Sequence, residues 1–286
     1  MIGVYDWLSK QKYSFGIAES NYIVGPFFIF EALGIENTFA VLASVFIPAY
    51  LQYLGIDVTL YNIPEYSSSM PGDWLNNEGL LEKGCKRHIE NMIKKVVASR
   101  ELAYFHSQLT LAMFNSFFNE RNVKDLKLPS PIEFLFKKIK LHFVNQNSLA
   151  NFKEFPVSED IIYIGGLLVE ENEILIQEKV KVDDNEAIYA GVPLICIPNK
   201  GDQFYLSSLV EHLGIGIYVK VIYDENGVDS EAFGIDFQNA LNKMMIDNNI
   251  YQKTVNELRT KIFLDLKENG PKKNIFLKKI SEVIGK

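Results

Sequence analysis

Glu186, Asp202 and Gln203 carry the polar chemistry of one stretch of this 286-residue chain, NEAIYAGVPLICIPNKGDQFYLSSLVEHLGIGIYVK, from Asn185 to Lys220. A carboxylate can accept hydrogen bonds from two vicinal hydroxyls, and a terminal amide offers a donor and an acceptor together. The Asp202-Gln203 pair follows a short apolar run, Val192 to Pro198, which the flanking prolines and glycine mark as a buried parallel strand. Leu206, Leu209, Val210 and Leu213 then recur at helical spacing. Open parallel sheets bind ligands in the crevice outside the carboxyl ends of their strands, so this pair is placed to grip a hydroxyl-rich ligand.

Other candidate groups suit less chemistry. The four histidines, His88, His106, His142 and His212, fall on expected helices and a strand without a partnering acid or nucleophile. Each is read as structural. Cys85 and Cys196 have no disulfide or metal spacing and are read as simple thiols. Gly214-x-Gly216 lacks the third glycine of a dinucleotide fingerprint, and Gly214 sits where a helix would need a C-cap. Phosphate-loop, zincin and nucleophile-elbow patterns are all missing from the sequence, so metal, flavin and nicotinamide cofactors are not expected.

A net charge of -7 with a pI near 5.3 argues against nucleic acid as a partner. The lysines at 272, 273, 278, 279 and 286 are read as a solvated helix face. The first residues lack the basic and apolar regions of a secretory leader, and Thr38 to Leu54 is too short and interrupted to span a bilayer. A soluble, cytosolic chain is the expectation.

The elements that must position these residues read as α/β. Tyr13 to Ala18 is an expected strand ending at Glu19, Gly25 to Leu33 a helix capped by Gly34, and Thr38 to Val45 a second strand. That spacing makes a βαβ unit and a parallel sheet. Asp73 to Asn119 reads as two helices, broken near Gly84, packed on the sheet through Leu80, Ile89, Met92, Ile93, Val96 and Val97. A short helix from Pro129 to Phe136 and a strand from Leu141 to Asn145 follow, then strands near Ile161 to Ile164 and Ile174 to Gln177. Helices over Phe237 to Met245, Asn256 to Leu266 and Ile275 to Ile284 close the chain.

The Glu186 to Gln203 block resembles the donor-binding signature of the UDP-glycosyltransferases, the family that includes the animal glucuronosyltransferases. Glu186, Gly191, Pro193, Pro198, Asp202 and Gln203 occur in the family's order, with sixteen residues from Glu186 to Asp202. Phe155-Pro156 and Tyr163-Ile164-Gly165-Gly166 resemble the family's link between its two domains. The resemblance implies two Rossmann-like domains of glycosyltransferase-B type, both partial. Residues 1-160 would form an acceptor-side domain and 161-286 a UDP-sugar-binding domain. It also implies that Glu186 holds the ribose hydroxyls of a UDP-sugar, that Asp202 and Gln203 hold the transferred sugar, and that Glu19 orients a catalytic histidine.

The chain departs from the family in two places. No histidine precedes Glu19, so the expected general base is missing, and nothing matches the His-Gly-Gly-x-Asn segment that holds the donor phosphates; Lys179 stands where a tryptophan is usual. Two functions follow. One is transfer of glucuronic acid or glucose from a UDP-sugar to a small lipophilic hydroxyl acceptor, without metal. The other is a non-catalytic remnant that binds a ligand or a partner, including a second copy or a full-length family member. Loss of a central strand-helix pair would leave an unpaired sheet edge and favour self-association.

Overall fold

The computed structural model describes residues 2-20, 25-74, 80, 82-116, 130-171, 184-221, 223-224, 227-228, 230-246 and 250-285. After α1 (Ile2–Leu8) the chain alternates strand and helix: β1 (Gly16–Glu19), α2 (Gly25–Ala32) and β2 (Thr38–Leu42). Two 3₁₀ turns, Pro48–Leu54 and Val58–Leu60, lead to the 29-residue α3 (Lys86–Phe114). Then come α4 (Ile132–Lys138), β3 (Ile139–Val144) and β4 (Ile161–Tyr163). The four strands form one parallel sheet in sequence order, β1-β2-β3-β4. The α/β reading holds.

Side chains alternate across this sheet as a two-residue period requires. Phe39, Leu141, Phe143 and Ile164 point to one face. Ala40, Leu42, Val144 and Ile161 point to the other, against Phe27 and Phe28 of α2 and Leu135 and Phe136 of α4. Both faces are covered, which is why β2 and β3 read as nearly continuous apolar runs.

The chain continues through α5 (Leu167–Glu171), α6 (Asp184–Ala190), β5 (Leu194–Cys196), α7 (Gln203–Leu213) and β6 (Gly216–Tyr218). Strands β7 (Tyr223–Asp224) and β8 (Gly227–Val228) pair antiparallel, and α8 (Ser230–Met244), α9 (Ile250–Asn269) and α10 (Lys272–Ile284) complete the chain. Strands β5 and β6 pair in parallel as a two-stranded sheet. A second core gathers Ile188 and Tyr189 of α6, Val210 of α7, Ile215, and Val255, Leu258 and Ile262 of α9.

The two parts are packed together. Strand β4 begins at residue 161, just after the expected boundary, yet it pairs with β3 in the first sheet. Helix α10 returns to cover the face of that sheet that α2 and α4 leave open, through Phe276 and Ile280. Phe276 meets Phe143 edge-on at 4.6 Å.

Several local expectations need correction. The run Val192 to Pro198 is a parallel strand, but only Leu194–Cys196 is extended, its residues are half-buried, and Val192 and Ile197 are exposed. A two-stranded sheet cannot bury its strands as a wider one would. Gly84 lies ahead of α3 at φ 92°, and the helix runs unbroken from Lys86. Its phase is inverted: Ile89, Ile93, Val96 and Val97 are exposed, while Asn91, Lys95 and His106 are buried. The reason is that α3 packs on loop backbone. Asn91 donates to Ile63 O at 2.8 Å and accepts from Glu65 N at 2.6 Å, and the Lys95 ammonium donates to Val58 O and Tyr61 O. Lys272 is buried and paired with Asp265 at 2.7 Å, unlike the solvated lysines Lys278 and Lys279. The strand expected at Ile174 to Gln177, and Lys179, lie outside the described residues.

One glycine pair locks α6 to the end of β4. Tyr189 Oη donates to Gly165 O at 3.0 Å and accepts from Asn147 Nδ2 at 3.1 Å. Gly166 has φ +94°, and a Cβ there would lie 1.9 Å from that hydroxyl oxygen. Gly166→Ala is therefore expected to lower unfolding free energy by at least about 2 kcal/mol in urea titration. Gly234→Ala, in the middle of α8 with nothing within 4 Å, is expected to raise it by about 0.5 to 1 kcal/mol.

Candidate functional site

A cavity of about 300 Å³ lies where the first sheet meets α7. Its floor is the chain just beyond two strand ends: Ala43, Ser44 and Val45 follow β2, and Asn145 and Gln146 follow β3. Ile188 of α6 and Leu206, Leu209, Val210 and Leu213 of α7 form an apolar wall. Asp202 and Gln203 complete the lining. A crevice at the carboxyl ends of parallel strands, with polar groups beside an apolar wall, is the usual form of a small-molecule site.

The polar groups are held by local backbone. Asp202 is the residue before α7, in helical conformation, and its side chain makes no capping hydrogen bond. Gln203 opens the helix, and its Oε1 accepts from Asn199 N at 2.8 Å and Lys200 N at 3.3 Å. That pins the Asn199-Lys200-Gly201 turn and leaves the amide nitrogen as the group Gln203 can offer a ligand. Across the cavity, Asn145 Nδ2 donates to Ala43 O at 3.0 Å and Gln146 Nε2 to Ala150 O at 2.6 Å. The first bond braces the two strand-end loops against each other, and the second holds the loop after β3 in its own turn.

Of the residues singled out by sequence, Asp202 and Gln203 are brought together in the cavity lining. Glu186 belongs to α6, two positions before the cavity residue Ile188, but its side chain lies outside the described residues. Glu19 ends β1, is exposed, and is not among the lining residues. Cys85 and Cys196 form no disulfide, and the Cys85 sulfur accepts from His88 N at the start of α3. Among the described residues, no cluster of three or more His, Cys, Asp or Glu is arranged to hold a metal. No helix there is long and apolar enough to cross a membrane.

Three of the four histidines are buried or partly buried among aromatic rings. None lines the cavity. His106 is buried beside Tyr50 and Phe136, its ring nearly parallel to both, with both ring nitrogens unpartnered. His142 is buried in β3 with Nε2 unpartnered, edge-on to Phe46 at 5.6 Å. His212 Nε2 accepts from Lys153 N at 2.9 Å, which requires a neutral ring. Burial lowers all three to about 4 from their ordinary 6.5.

Residues that sequence reasoning passed over hold α7 in place. Gly72 N donates to both carboxylate oxygens of Glu211, at 2.9 and 3.1 Å, and Trp74 Nε1 donates to Ser208 Oγ at 2.9 Å. Burial raises Glu211 to about 7 against those donors. The signal was faint: Ser207, Ser208 and Glu211 interrupt the polar face of a helix otherwise read from its leucines.

No family model matches the chain, and no curated protein matches it. Among solved structures it is similar to Os79 from O. sativa. Against Os79 in complex with U2F and trichothecene the TM-score is 0.36 at 15% identity, covering 90% of this chain and 73% of that one. Against Os79 in complex with UDP it is 0.37 at 14% identity, covering 90% and 74%.

The neutral histidines give a pH dependence of known sign. A histidine whose folded pKa lies near 4 and whose unfolded pKa lies near 6.5 binds fewer protons when folded, so stability is lost as pH falls through that window. Glu211 acts oppositely between its ordinary 4.5 and about 7. His106→Phe, which keeps the aromatic stack, is expected to reduce the slope of unfolding free energy between pH 4.5 and 6 by up to about 1.4 kcal/mol per pH unit. Urea titrations of the two proteins across that range measure it.

Proposed function

We propose that this chain is a UDP-glycosyltransferase-like protein, with the cavity beside α7 taking the sugar of a UDP-sugar. The observation that carries this reading is the placement of Asp202 and Gln203 at the carboxyl-end crevice of the parallel sheet, in the sequence register to Glu186 that the family signature requires. A volume of about 300 Å³ suits one sugar ring rather than a whole nucleotide sugar, so the nucleotide would extend toward α6, which carries Glu186. The reaction in this reading is transfer of glucuronic acid or glucose to a small lipophilic hydroxyl compound. An acceptor-side unit built on the first sheet and a donor-side unit built on α6, β5, α7 and β6 would supply the two halves of the site.

A second reading, a ligand-binding protein without turnover, is favoured by a specific observation. Transfer to a hydroxyl needs a base, and no histidine lines the cavity, nor does Glu19. Calorimetry with UDP and UDP-glucose on folded protein tests both. Micromolar binding is expected, weakened about ten- to a hundred-fold in Glu186→Ala for UDP and in Asp202→Ala for UDP-glucose, the range for losing a hydrogen bond to a charged group. Binding with release of UDP in the presence of a phenolic acceptor supports the transferase. Binding without turnover supports the second reading, and no binding by a folded chain removes both.

A further inference from the structure

Helix α3 wears its apolar side outward. Ile89, Ile93, Val96, Val97, Tyr104 and Leu111 are 38 to 70% exposed, while the side facing the protein carries Asn91, Lys95 and His106. At 100° per residue the six exposed side chains fall within about 100° of arc, a stripe about 33 Å long with exposed Arg100 at its centre. Single exposed apolar residues need no explanation, but a stripe at i, i+4, i+7, i+8 on a helix is the pattern of a helix-packing seam. On the inward side Asn91 and Lys95 donate to loop carbonyls and His106 stacks on aromatic rings, so the inverted phase is packed against the protein.

The stripe is self-complementary when turned end for end. With two copies of α3 antiparallel about a two-fold axis at Arg100, Ile89 meets Leu111, Val96 meets Tyr104, and Ile93 meets the small Ser107. Exposed Lys94 and Glu101 border the same side of the stripe, and the two-fold brings Lys94 of each copy beside Glu101 of the other. The same Glu101 lies within reach of the Arg100 guanidinium, offsetting the approach of two like charges at the centre. We propose that the exposed face of α3 is a docking surface for a second copy of this chain, forming an antiparallel two-fold dimer.

Sedimentation velocity from 1 to 100 µM, with disulfide trapping, tests the proposal. The chain is expected to pass from monomer to dimer across that range, and the double variant Ile93→Glu/Tyr104→Glu to stay monomeric with an unchanged far-UV circular dichroism spectrum. In a Cys85→Ser/Cys196→Ser background, Arg100→Cys is expected to form a covalent dimer on mild oxidation. Facing helices 8 to 10 Å apart bring the two Cα atoms at a two-fold within disulfide range. Ile93→Cys is expected not to cross-link, because its two copies would lie about 21 Å apart along the axis. A monomer at 100 µM overturns the proposal, as does a dimer that survives the double glutamate variant. Cross-linking through Ile93→Cys overturns the antiparallel arrangement. Flotation of a monomeric chain with phosphatidylcholine vesicles, lost in the double variant, would assign the stripe to a lipid surface instead.

Discussion

The structure depends on α7 being buried from two sides at once. Tyr205 and Leu209 enter the core of the four-stranded sheet, while Val210 enters the core formed with α6 and α9. A helix wedged between two cores has no fully solvated face, so its polar side chains must find partners inside the protein. Ser207 Oγ donates back to Gln203 O, Ser208 accepts from Trp74, and Glu211 accepts from Gly72. The loop ending at Trp74 is fixed by this demand as much as by its own sequence. The same wedge sets one wall of the cavity, so the placement of Asp202 and Gln203 follows from how α7 is buried.

Charge is buried where loops must be held, as well as between α9 and α10 at Asp265 and Lys272. Arg87 donates to both carboxylate oxygens of buried Asp73 at 2.8 Å and to Ser68 O at 2.9 Å, tying the loop before α3 to its first turn. The bidentate fork compensates the desolvation of both groups, as a single contact would not. Lys95 is buried with loop carbonyls as acceptors, and burial lowers it to about 8. Each of these groups stabilises an irregular segment that has little apolar area of its own to bury. Near neutral pH the three lowered histidines carry no charge, so the aromatic layer of Tyr50, Phe136 and His106 packs as if it were wholly apolar.

How much of this was legible in the sequence varied with the range of the interactions involved. The apolar run in Thr38 to Leu42, the glycine stops at 34, 191 and 214, and the parallel pairing of β5 are local signals, and each is where it was expected. The helical period of α3 was equally legible, but its phase was not. Apolar residues predict an inward face only when what lies inward is apolar, and here it is the backbone of residues 58 to 65. The return of α10 to the first sheet and the wedge of α7 were hidden for a related reason: they join segments more than a hundred residues apart, and no periodicity encodes them. Asp202 and Gln203 line the cavity because a strand-to-helix junction is local, whereas Glu19, singled out only through a partner the chain lacks, does not line it.

The cavity's shape bears on what a ligand can do there. Its apolar wall is built by leucines and a valine of α7, its floor carries Ser44, Asn145 and Gln146, and Asp202 and Gln203 sit around the first turn of that helix. A helix N-terminus carries partial positive charge and unpaired N–H groups, which favour an anion or a partly negative oxygen nearby. Asp202 places a formal negative charge at that same point, so an anionic ligand group would meet repulsion as well as attraction. A neutral, hydroxyl-bearing group escapes that conflict, because its hydrogens can donate to the carboxylate while its oxygens accept from the Gln203 amide. The electrostatics of the α7 terminus therefore select a polyol over a phosphate inside the cavity and leave any phosphate to be held elsewhere.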